Sequence, residues 1–396
     1  MYRKSIARLP ATVMVAALIA VGCGTGDDPE AEQAVDAETD AESGAASEGD
    51  EDPGESDEAP SESDGDLVIE GEMIADAELW EAALEEGQLR FYTALNEEDE
   101  LYISDAFTED TGVEVELVRL PGTRLDERIR TEYGSGITSA DVVHQSDTTT
   151  NVRMLEDGIG VPYSLPEYLE GGIPEEHIHP DGAYVSVTVT PMAFAYNNMM
   201  LDESEAPASW ADLLDPRWEG QIIMPYAGIG GSGWSMALFQ RQELGEDYWS
   251  ELKAQNPVIG QSAAGIGEEV GRGEYAVAIN AAPSTETVIS TGAPITVVWP
   301  EEGSPAYGNG MSLADGENPN AAKLYINWAS SLRGAQFLTD RGRYSTHPDA
   351  PAPIGGDGER MDDLSVVNPV VATSDDWIEL RDQWVDEWNE VYEFSE

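Results

Sequence analysis

A glycine-rich turn, Gly228–Gly233, has the composition of an anion-binding site. It follows an apolar run typical of a strand and precedes a helical pattern that starts at Trp234. Backbone N–H groups at the start of a helix are unpaired and carry a partial positive charge, and the Ser232 hydroxyl lies beside them. The spacing also fits G-x-G-x-x-G, the turn of dinucleotide sites. Tight packing is a third use of such glycines, so the turn alone leaves three interpretations.

A second group of ligand types is the segment 175–179, Glu-Glu-His-Ile-His. Imidazole and carboxylate groups can hold zinc, and catalytic zinc needs three protein ligands and an open position. The segment follows Gly-Gly-Ile-Pro at 171–174, which predicts a surface loop. A metal-dependent hydrolase is therefore an alternative. A serine hydrolase has less support, because the chain lacks G-x-S-x-G and His144 fits the end of a buried strand.

The single cysteine, Cys23, lies at the end of an export signal. Three basic residues among the first eight precede an apolar run, Ala11 to Val21, which is too short to span a bilayer comfortably. A lone thiol outside the cytoplasm has no disulfide partner. Residues 20–23 resemble the cleavage site of bacterial lipoproteins, which implies acylation of Cys23 and anchoring of the chain by that lipid at the extracytoplasmic face of the cell membrane. An ordinary signal peptide with an incidental cysteine is the alternative.

The next segment predicts an acidic tether. Between Gly24 and Asp66 there are 18 acidic residues, no Lys or Arg, and no aromatic residue, so the segment cannot bury enough apolar surface to become ordered. The remaining body has 61 acidic and 16 basic residues, a net charge near −45. That charge excludes nucleic acid and anionic lipid as the expected partners. The chain has only three lysines, which indicates a salty exterior where repulsion is screened.

The body, roughly 320 residues, is long enough for two domains. Short apolar runs alternate with helical patterns, which predicts an α/β fold with mainly parallel sheets. The predicted strands are residues 89–93, 113–119, 141–144, 184–196, 221–224, 275–280 and 295–299. The predicted helices are 101–111, 321–338 with Asn318 and Pro319 at its start, and a C-terminal helix capped by Ser374 with the packing stripe Trp377, Leu380, Trp384, Trp388 and Val391.

Two extended segments, 184–197 and the one that starts at Ile295, are separated by about a hundred residues. A chain that leaves one lobe, builds another and returns needs two such crossings, and they form a hinge. The predicted organisation is a signal peptide at 1–23, a disordered tether at 24–75, the first part of lobe 1 at 76–190, lobe 2 at 191–303, and a return to lobe 1 with C-terminal helices at 304–396.

Several segments occur in a characteristic order: 91–94 (Phe-Tyr-Thr-Ala), 107–115, 139–143, 196–197, 207–221, 273–280, 292–294 and 300–303. In this order they resemble bacterial periplasmic binding proteins of the ferric-binding type, over most of residues 88–355. The resemblance implies a two-lobed type II periplasmic-binding-protein fold, with a hinge between two mixed-sheet lobes. It further implies a monomeric receptor that closes on a small solute and docks on the permease of an ABC importer, without catalysis.

The resemblance also bears on the ligand, because the family holds a phosphate-like anion at the turn that matches Gly228–Gly233. A ferric ion needs phenolate, carboxylate and imidazole ligands. Where the family has two adjacent tyrosines, this chain has Ala281 and Ala282; its histidine position matches Asn96, and its acidic ligand falls near Glu132 in a segment of altered length. Other phenols that could serve are Tyr226 and Tyr307. We therefore expect a small organic or phosphorylated anion, with ferric iron as the alternative.

The side chains expected at the cleft lie on loops that such a fold brings together: Thr93, Asn96, Ser146, Asp147, Thr148, Ser232, Gly233, Asn280, Ser284 and Tyr307. We predict no catalytic residue, no resident metal and no cofactor, so the chain is expected to bind a solute rather than to be an enzyme. An adhesin or signalling receptor on the same fold is a further alternative, since fold does not fix function.

Overall fold

The computed structural model describes residues 65–137, 140–169 and 171–395, so the predicted signal peptide and most of the predicted tether lie outside the described residues. The strands are β1 (Leu67–Ile69), β2 (Glu72–Ala75), β3 (Gln88–Thr93), β4 (Glu114–Arg119), β5 (Val142–Gln145), β6 (Val185–Asn197), β7 (Ile222–Pro225), β8 (Val258–Gly260), β9 (Val277–Ala281), β10 (Ile295–Val298), β11 (Ser304–Leu313), β12 (Tyr344–Ser345) and β13 (Pro369–Ala372).

The α-helices are α1 (Ala77–Glu86), α2 (Glu97–Thr111), α3 (Gly122–Gly134), α4 (Thr148–Glu156), α5 (Gly230–Gln242), α6 (Tyr248–Lys253), α7 (Ala263–Gly271), α8 (Ala282–Ile289), α9 (Pro319–Ala329), α10 (Leu332–Asp340), α11 (Leu364–Val367) and α12 (Ser374–Tyr392). Within the described part of the chain, no helix is both long enough and apolar enough to cross a membrane.

One mixed sheet contains most of the strands, in the order β4-β3-β5-β11-β6-β9-β7-β8. Strands β3, β4 and β5 are parallel at one end, and β7, β8 and β9 are parallel at the other. The pairs in the middle, which involve β6 and β11, are antiparallel. The predicted α/β class is therefore confirmed, but the prediction of mainly parallel sheets holds only at the two ends, which meet through antiparallel strands.

Strand β6 takes part in both ends of the sheet. Up to Pro191 it pairs with β11, and from Met192 to Tyr196 it pairs with β9. The hydrogen-bond partner thus changes at the proline, which confirms the long extended segment predicted in mid-chain. We call the part with β3, β4, β5 and β11 half-sheet 1, and the part with β7, β8, β9 and β10 half-sheet 2.

Each half-sheet has its own apolar core. The core of half-sheet 1 contains Phe91, Phe107 and Trp328, and the core of half-sheet 2 contains Trp210 and Trp249. Two cores of this size, joined by shared strands, are expected of two lobes.

The folded body begins earlier than predicted. Strands β1 and β2 form an antiparallel hairpin, and Leu67, Ile74 and Ala75 are fully buried in the core of half-sheet 1. The prediction that the tether extends to residue 75 is therefore wrong for its last residues. The apolar residues of this short hairpin bury enough surface to order it.

The helix predicted over 321–338 is two helices, α9 and α10. The first ends at Ala329 with Ser330 as its C-terminal cap, and Ser331 caps the second, because its hydroxyl accepts a hydrogen bond from the Gly334 N–H at 3.2 Å. A Cβ at Gly334 would lie 2.3 Å from the Trp328 carbonyl oxygen, so the break brings the backbones into close contact. Asn318 occupies the cap position of α9 and Pro319 begins the helix, as predicted, but the Asn318 side chain does not make the capping hydrogen bond; its amide donates to Asp141 at 3.0 Å.

Helix α12 begins one residue after its cap, which is Thr373 and not the predicted Ser374. The predicted packing stripe is confirmed, because Trp377 and Trp388 are buried and the other stripe residues are packed against the cores. Trp388 lies in the core of half-sheet 2, while the start of α12 contacts α4 of half-sheet 1. The boundaries 76–190, 191–303 and 304–396 stay a proposal, with α12 spanning both lobes.

Candidate functional site

A cavity of about 210 Å³ lies between the two half-sheets. Half-sheet 1 and its connections contribute Leu95, Asn96, Asp99, Ser146, Arg341 and Arg343. The shared strands contribute Thr188, Val189, Thr190, Tyr307 and Asn309. The start of α8, beside half-sheet 2, contributes Pro283, Ser284 and Thr287. Three of these residues are apolar and the rest are polar, so the cavity suits a small polar ligand.

The shared strands make a hydrogen-bonded floor for the cavity. The Asn309 amide donates to the hydroxyls of Thr188 and Thr190, at 3.0 Å each. Burial raises the pKa of Tyr307 to about 12, although its hydrogen bond to Thr190 partly opposes the increase. Thr188 and Thr190 are two residues apart on β6, and Tyr307 and Asn309, which pair with them, are two apart on β11, so the four side chains share one face of the sheet. The floor is therefore neutral and fixed in position.

One wall of the cavity carries charge. Asp99 Oδ1 accepts a hydrogen bond from Arg341 Nε at 2.8 Å, and Asp99 Oδ2 accepts one from Arg343 Nη2 at 3.3 Å. Behind Asp99, the buried Glu100 accepts from Arg343 Nη1 at 2.7 Å. We call Asp99, Arg341 and Arg343 the arginine cluster. The lining thus has two basic residues and one acidic residue, whereas acidic residues of the body outnumber basic ones by 61 to 16.

Two helices of half-sheet 1 start at this cavity. Asn96 caps α2 by accepting a hydrogen bond from the Asp99 N–H at 3.2 Å, and Ser146 lies immediately before Asp147, the cap of α4. The start of α8 reaches it from the other side through Ser284. Helix starts carry a partial positive charge, so the three helix starts add to the positive charge of the two arginines at the cavity.

The structure brings four of the predicted site residues together at the cavity: Asn96, Ser146, Ser284 and Tyr307. Asn96 and Ser146 follow strands whose carboxyl ends meet at one edge of a parallel sheet, which is where a ligand is expected in an α/β fold. Tyr307 lies on β11, near the strand exchange at Pro191.

Three other predicted residues lie away from the lining. Thr93 is fully buried, and its hydroxyl accepts from the Leu95 N–H at 3.0 Å, so it shapes the turn after β3. Thr148 lines a different cavity, of about 300 Å³. Asn280 is buried, and its amide donates to the Ala263 carbonyl and the Thr285 hydroxyl at 3.0 Å each. Asn280 therefore joins α7, α8 and β9.

The glycine turn is covered at Gly231. A Cβ at Gly231 would lie 2.3 Å from the Tyr307 ring, so this ring rests directly on the first turn of α5. Gly233 is packed against the Tyr226 carbonyl, and Ser232 is half-buried outside the cavity lining. The contact with Tyr307 favours the packing interpretation for Gly231, while Gly230 in the same turn is exposed.

Asp147 lies beside the cavity and joins a contact between the lobes. Arg381 of α12 approaches Asp147 Oδ2 at 3.5 Å and donates to the Gly228 carbonyl at 3.0 Å. Asp147 belongs to the start of α4 and Gly228 to the glycine turn before α5, so one guanidinium joins the two sides. We call Arg381 with Asp147 the interlobe contact.

Sequence reasoning missed the arginine cluster and the polar floor. The alternation Ser186, Thr188 and Thr190 in β6 was a signal for the floor, because residues two apart share one face of a strand. The run Asp-Arg-Gly-Arg at 340–343 was a signal for the cluster, since paired basic residues are rare in so acidic a chain.

The residues considered for iron do not form a set. Ala281 and Ala282 are buried, and Tyr226 lies in the core of half-sheet 2, where its hydroxyl accepts from Asn389 at 3.3 Å. Glu132 accepts from Arg128 at 2.8 Å on α3. In residues 65–137, 140–169 and 171–395, no group of three or more His, Cys, Asp or Glu side chains is arranged to hold a metal ion.

The two histidines of the segment 175–179 have different surroundings. His179 Nδ1 accepts from the Asp181 N–H at 3.3 Å, and its ring lies against Tyr184. Burial lowers the pKa of His177, although the charge of Glu176 acts in the opposite direction. The geometry gives no support to the zinc hydrolase considered from this segment, since such a centre needs three ligands.

Two half-sheets joined by crossing strands, with a polar cavity between them, define a two-lobed solute-binding protein. Residues 141–357 match the family described as bacterial extracellular solute-binding protein, and the chain belongs to that family. Members of this family bind solutes outside the cytoplasm, which agrees with the predicted export. The lobes are the two half-sheets with their helices.

Individual relatives differ in what they bind. Iron uptake protein A1 of Synechocystis sp. is 31% identical over 151 residues, which cover 38% of this chain and 40% of that protein. The chain thus spans less than two thirds of the length of the curated relatives it matches first.

Solved structures show the fold. Iron-bound HitA from Pseudomonas aeruginosa has a TM-score of 0.62 at 18% identity, over 77% of this chain and 99% of that one. AfuA from Actinobacillus pleuropneumoniae, with fructose-6-phosphate bound, has a TM-score of 0.62 at 20% identity, over 78% and 99%. The predicted two-lobed type II periplasmic-binding-protein fold is therefore confirmed.

Proposed function

We propose that the chain is the extracytoplasmic receptor of an ABC importer, which closes its two lobes on a small anionic or phosphorylated organic solute and delivers it to the permease. One observation carries this proposal: the cavity between the lobes is polar, and its lining places two arginines beside one aspartate in a body whose acidic residues outnumber the basic ones. A ligand that contacts both lobes stabilises the closed form, which is how binding becomes a signal to a transporter.

The proposal includes an anchor at the membrane. Lipid on Cys23 holds the receptor as a monomer at the outer face, and the acidic segment after it serves as a flexible link to the permease. The Cys23→Ser variant is expected to lose incorporation of labelled fatty acid and to leave the membrane fraction. Continued membrane retention without label would show that the cysteine is incidental.

Ferric iron is the second candidate, because one relative is named as an iron uptake protein and HitA has iron bound. The arginine cluster and the alanines at 281 and 282 speak against it, since a trivalent cation needs anionic oxygen ligands. The two candidates differ in the charge of the ligand. They can therefore be separated by one binding measurement.

Native mass spectrometry of the purified protein is the first experiment, because a receptor that closes on its ligand retains it during purification. We expect an added mass that corresponds to an organic anion. The ligand-free protein is then titrated calorimetrically with phosphorylated sugars, di- and tricarboxylates, and ferric citrate. Binding of ferric citrate with a visible tyrosinate-to-iron absorption band, and no binding of organic anions, would overturn the proposal in favour of iron.

A further inference from the structure

The arginine cluster has unused hydrogen-bonding capacity at the cavity. Arg341 binds Asp99 through Nε and Nη2, both to Oδ1 at 2.8 Å, and Nη2 lies 3.5 Å from Glu98. Within the described residues, Arg341 Nη1 makes no hydrogen bond. A guanidinium has five N–H donors in a planar fork, so Arg341 keeps donors for a ligand while Asp99 holds it in place.

Arg343 is less available than Arg341. Its side chain is 10% exposed, against 31% for Arg341, and its charge is matched by the fully buried Glu100 at 2.7 Å. Arg341 instead lies over the Tyr102 ring, with its guanidinium carbon 5.4 Å from the ring centre. The charge of Arg343 is thus balanced by Glu100 inside the lobe, whereas the more exposed Arg341 lies at the cavity surface.

No residue of the glycine turn, Gly228–Gly233, lines this cavity. The Tyr307 ring covers Gly231, and Ser232 lies outside the cavity lining. We propose that Arg341, held by Asp99, recognises the anionic group of the solute in this cavity, in place of the glycine turn. This inference rests on the proposed function, and it names the residue that gives the site its preference for a negative charge.

The experiment compares charged ligands with their neutral parents. Calorimetric titrations use fructose 6-phosphate with fructose, glycerol 3-phosphate with glycerol, and citrate. The anion that binds the wild type most tightly, and its neutral parent where it has one, are then titrated into R341Q, R341K and S232A. Thermal unfolding is recorded for each variant, and R341K keeps the charge opposite Asp99 if R341Q fails to fold.

We expect R341Q to weaken binding of the anion by about tenfold or more, because a charge-assisted hydrogen bond is lost. R341K should weaken it less, since lysine keeps the charge and loses the planar fork. S232A should bind as the wild type does. The affinity of the wild type for the anion should also fall more steeply with added salt than that of R341Q.

Other outcomes overturn the inference in recognisable ways. A loss in S232A with none in R341Q and R341K would assign the anion to the glycine turn and leave the proposed function intact. An equal loss for a neutral parent sugar would make Arg341 a packing residue. If the wild type binds none of the anions but binds a neutral sugar or ferric citrate, the proposed function fails as well.

Discussion

The buried ion pair between Glu100 and Arg343, next to the cavity, allows a quantitative prediction of how much the charge of Glu100 stabilises the fold. Glu100 is 1% exposed, accepts a hydrogen bond from Arg343 at 2.7 Å, and lies 3.4 Å from His144 Nδ1. Burial alone would raise the pKa of Glu100. The Arg343 guanidinium and, after it, His144 outweigh burial and lower the pKa from 4.5 to about 2. The ionised form is therefore the one that stabilises the fold.

The size of the effect follows from this difference in pKa. Because one pKa unit corresponds to about 1.4 kcal/mol, Glu100→Gln should lower the free energy of unfolding at pH 7 by about 3 kcal/mol. Breaking a buried ion pair costs about 3–5 kcal/mol in general, which agrees. A carboxyl with a lowered pKa stabilises the fold fully above pH 4.5, and this contribution disappears as the pH falls towards 2.

Urea unfolding at pH 7 and pH 3 measures the prediction directly. The gap between wild type and Glu100→Gln should shrink by more than half at pH 3, because the carboxyl is then protonated in the unfolded chain while it stays mostly ionised in the folded one. Glu98→Gln is the matched control, since Glu98 is 86% exposed and 3.5 Å from Arg341; it should change the free energy by less than about 0.5 kcal/mol. Equal losses in the two variants, or a gap that is the same at both pH values, would refute the reasoning.

Two further predictions concern the contacts around α5 and α12. Replacing Arg381 by Gln removes its partly exposed ion pair with Asp147, at 3.5 Å, and its hydrogen bond to the Gly228 carbonyl. We expect the equilibrium between closed and separated lobes to shift by about 1–2 kcal/mol towards separated lobes. X-ray scattering should then show a larger radius of gyration, and an unchanged radius would contradict the prediction. Gly231→Ala places a Cβ 2.3 Å from the Tyr307 ring and should lower the free energy of unfolding in urea by about 1–3 kcal/mol. Gly134→Ala is the control, because a Cβ there meets nothing within 4 Å and should not lower the free energy of unfolding. Equal effects would show that Tyr307 does not rest on the turn.

The strands could be predicted because their signal is local. An apolar run of four to six residues bounded by turn residues reports a buried strand wherever it occurs. Asn96 and Ser146 followed from the same rule, since they come directly after such strands. The break between α9 and α10 was missed because the apolar pattern continues across Ser331, and the cap depends on one hydroxyl.

The arginine cluster could not be predicted in the same way. Arg341 and Asp99 are joined only after α10 packs beside α2, and no periodicity reports a contact between segments so far apart in sequence. The prediction for Asn280 was wrong for the opposite reason: it lies near the end of strand β9, where a ligand residue is expected, yet its amide donates to groups within its own lobe. Sequence position indicates the loop, but the direction of a side chain depends on tertiary packing.

Strand β6 also orders the assembly of the chain during synthesis. The strands of half-sheet 2 all lie between Met192 and Val298, so its ladder is complete as soon as that stretch has emerged. Half-sheet 1 cannot be completed until β11 has been synthesised, about a hundred residues after β6, although β3, β4 and β5 are synthesised before β6. Until then β5 and the first part of β6 keep unpaired edges, which can pair with another chain. The lobe that is made first is thus finished last, and that interval is when the chain is most prone to aggregate.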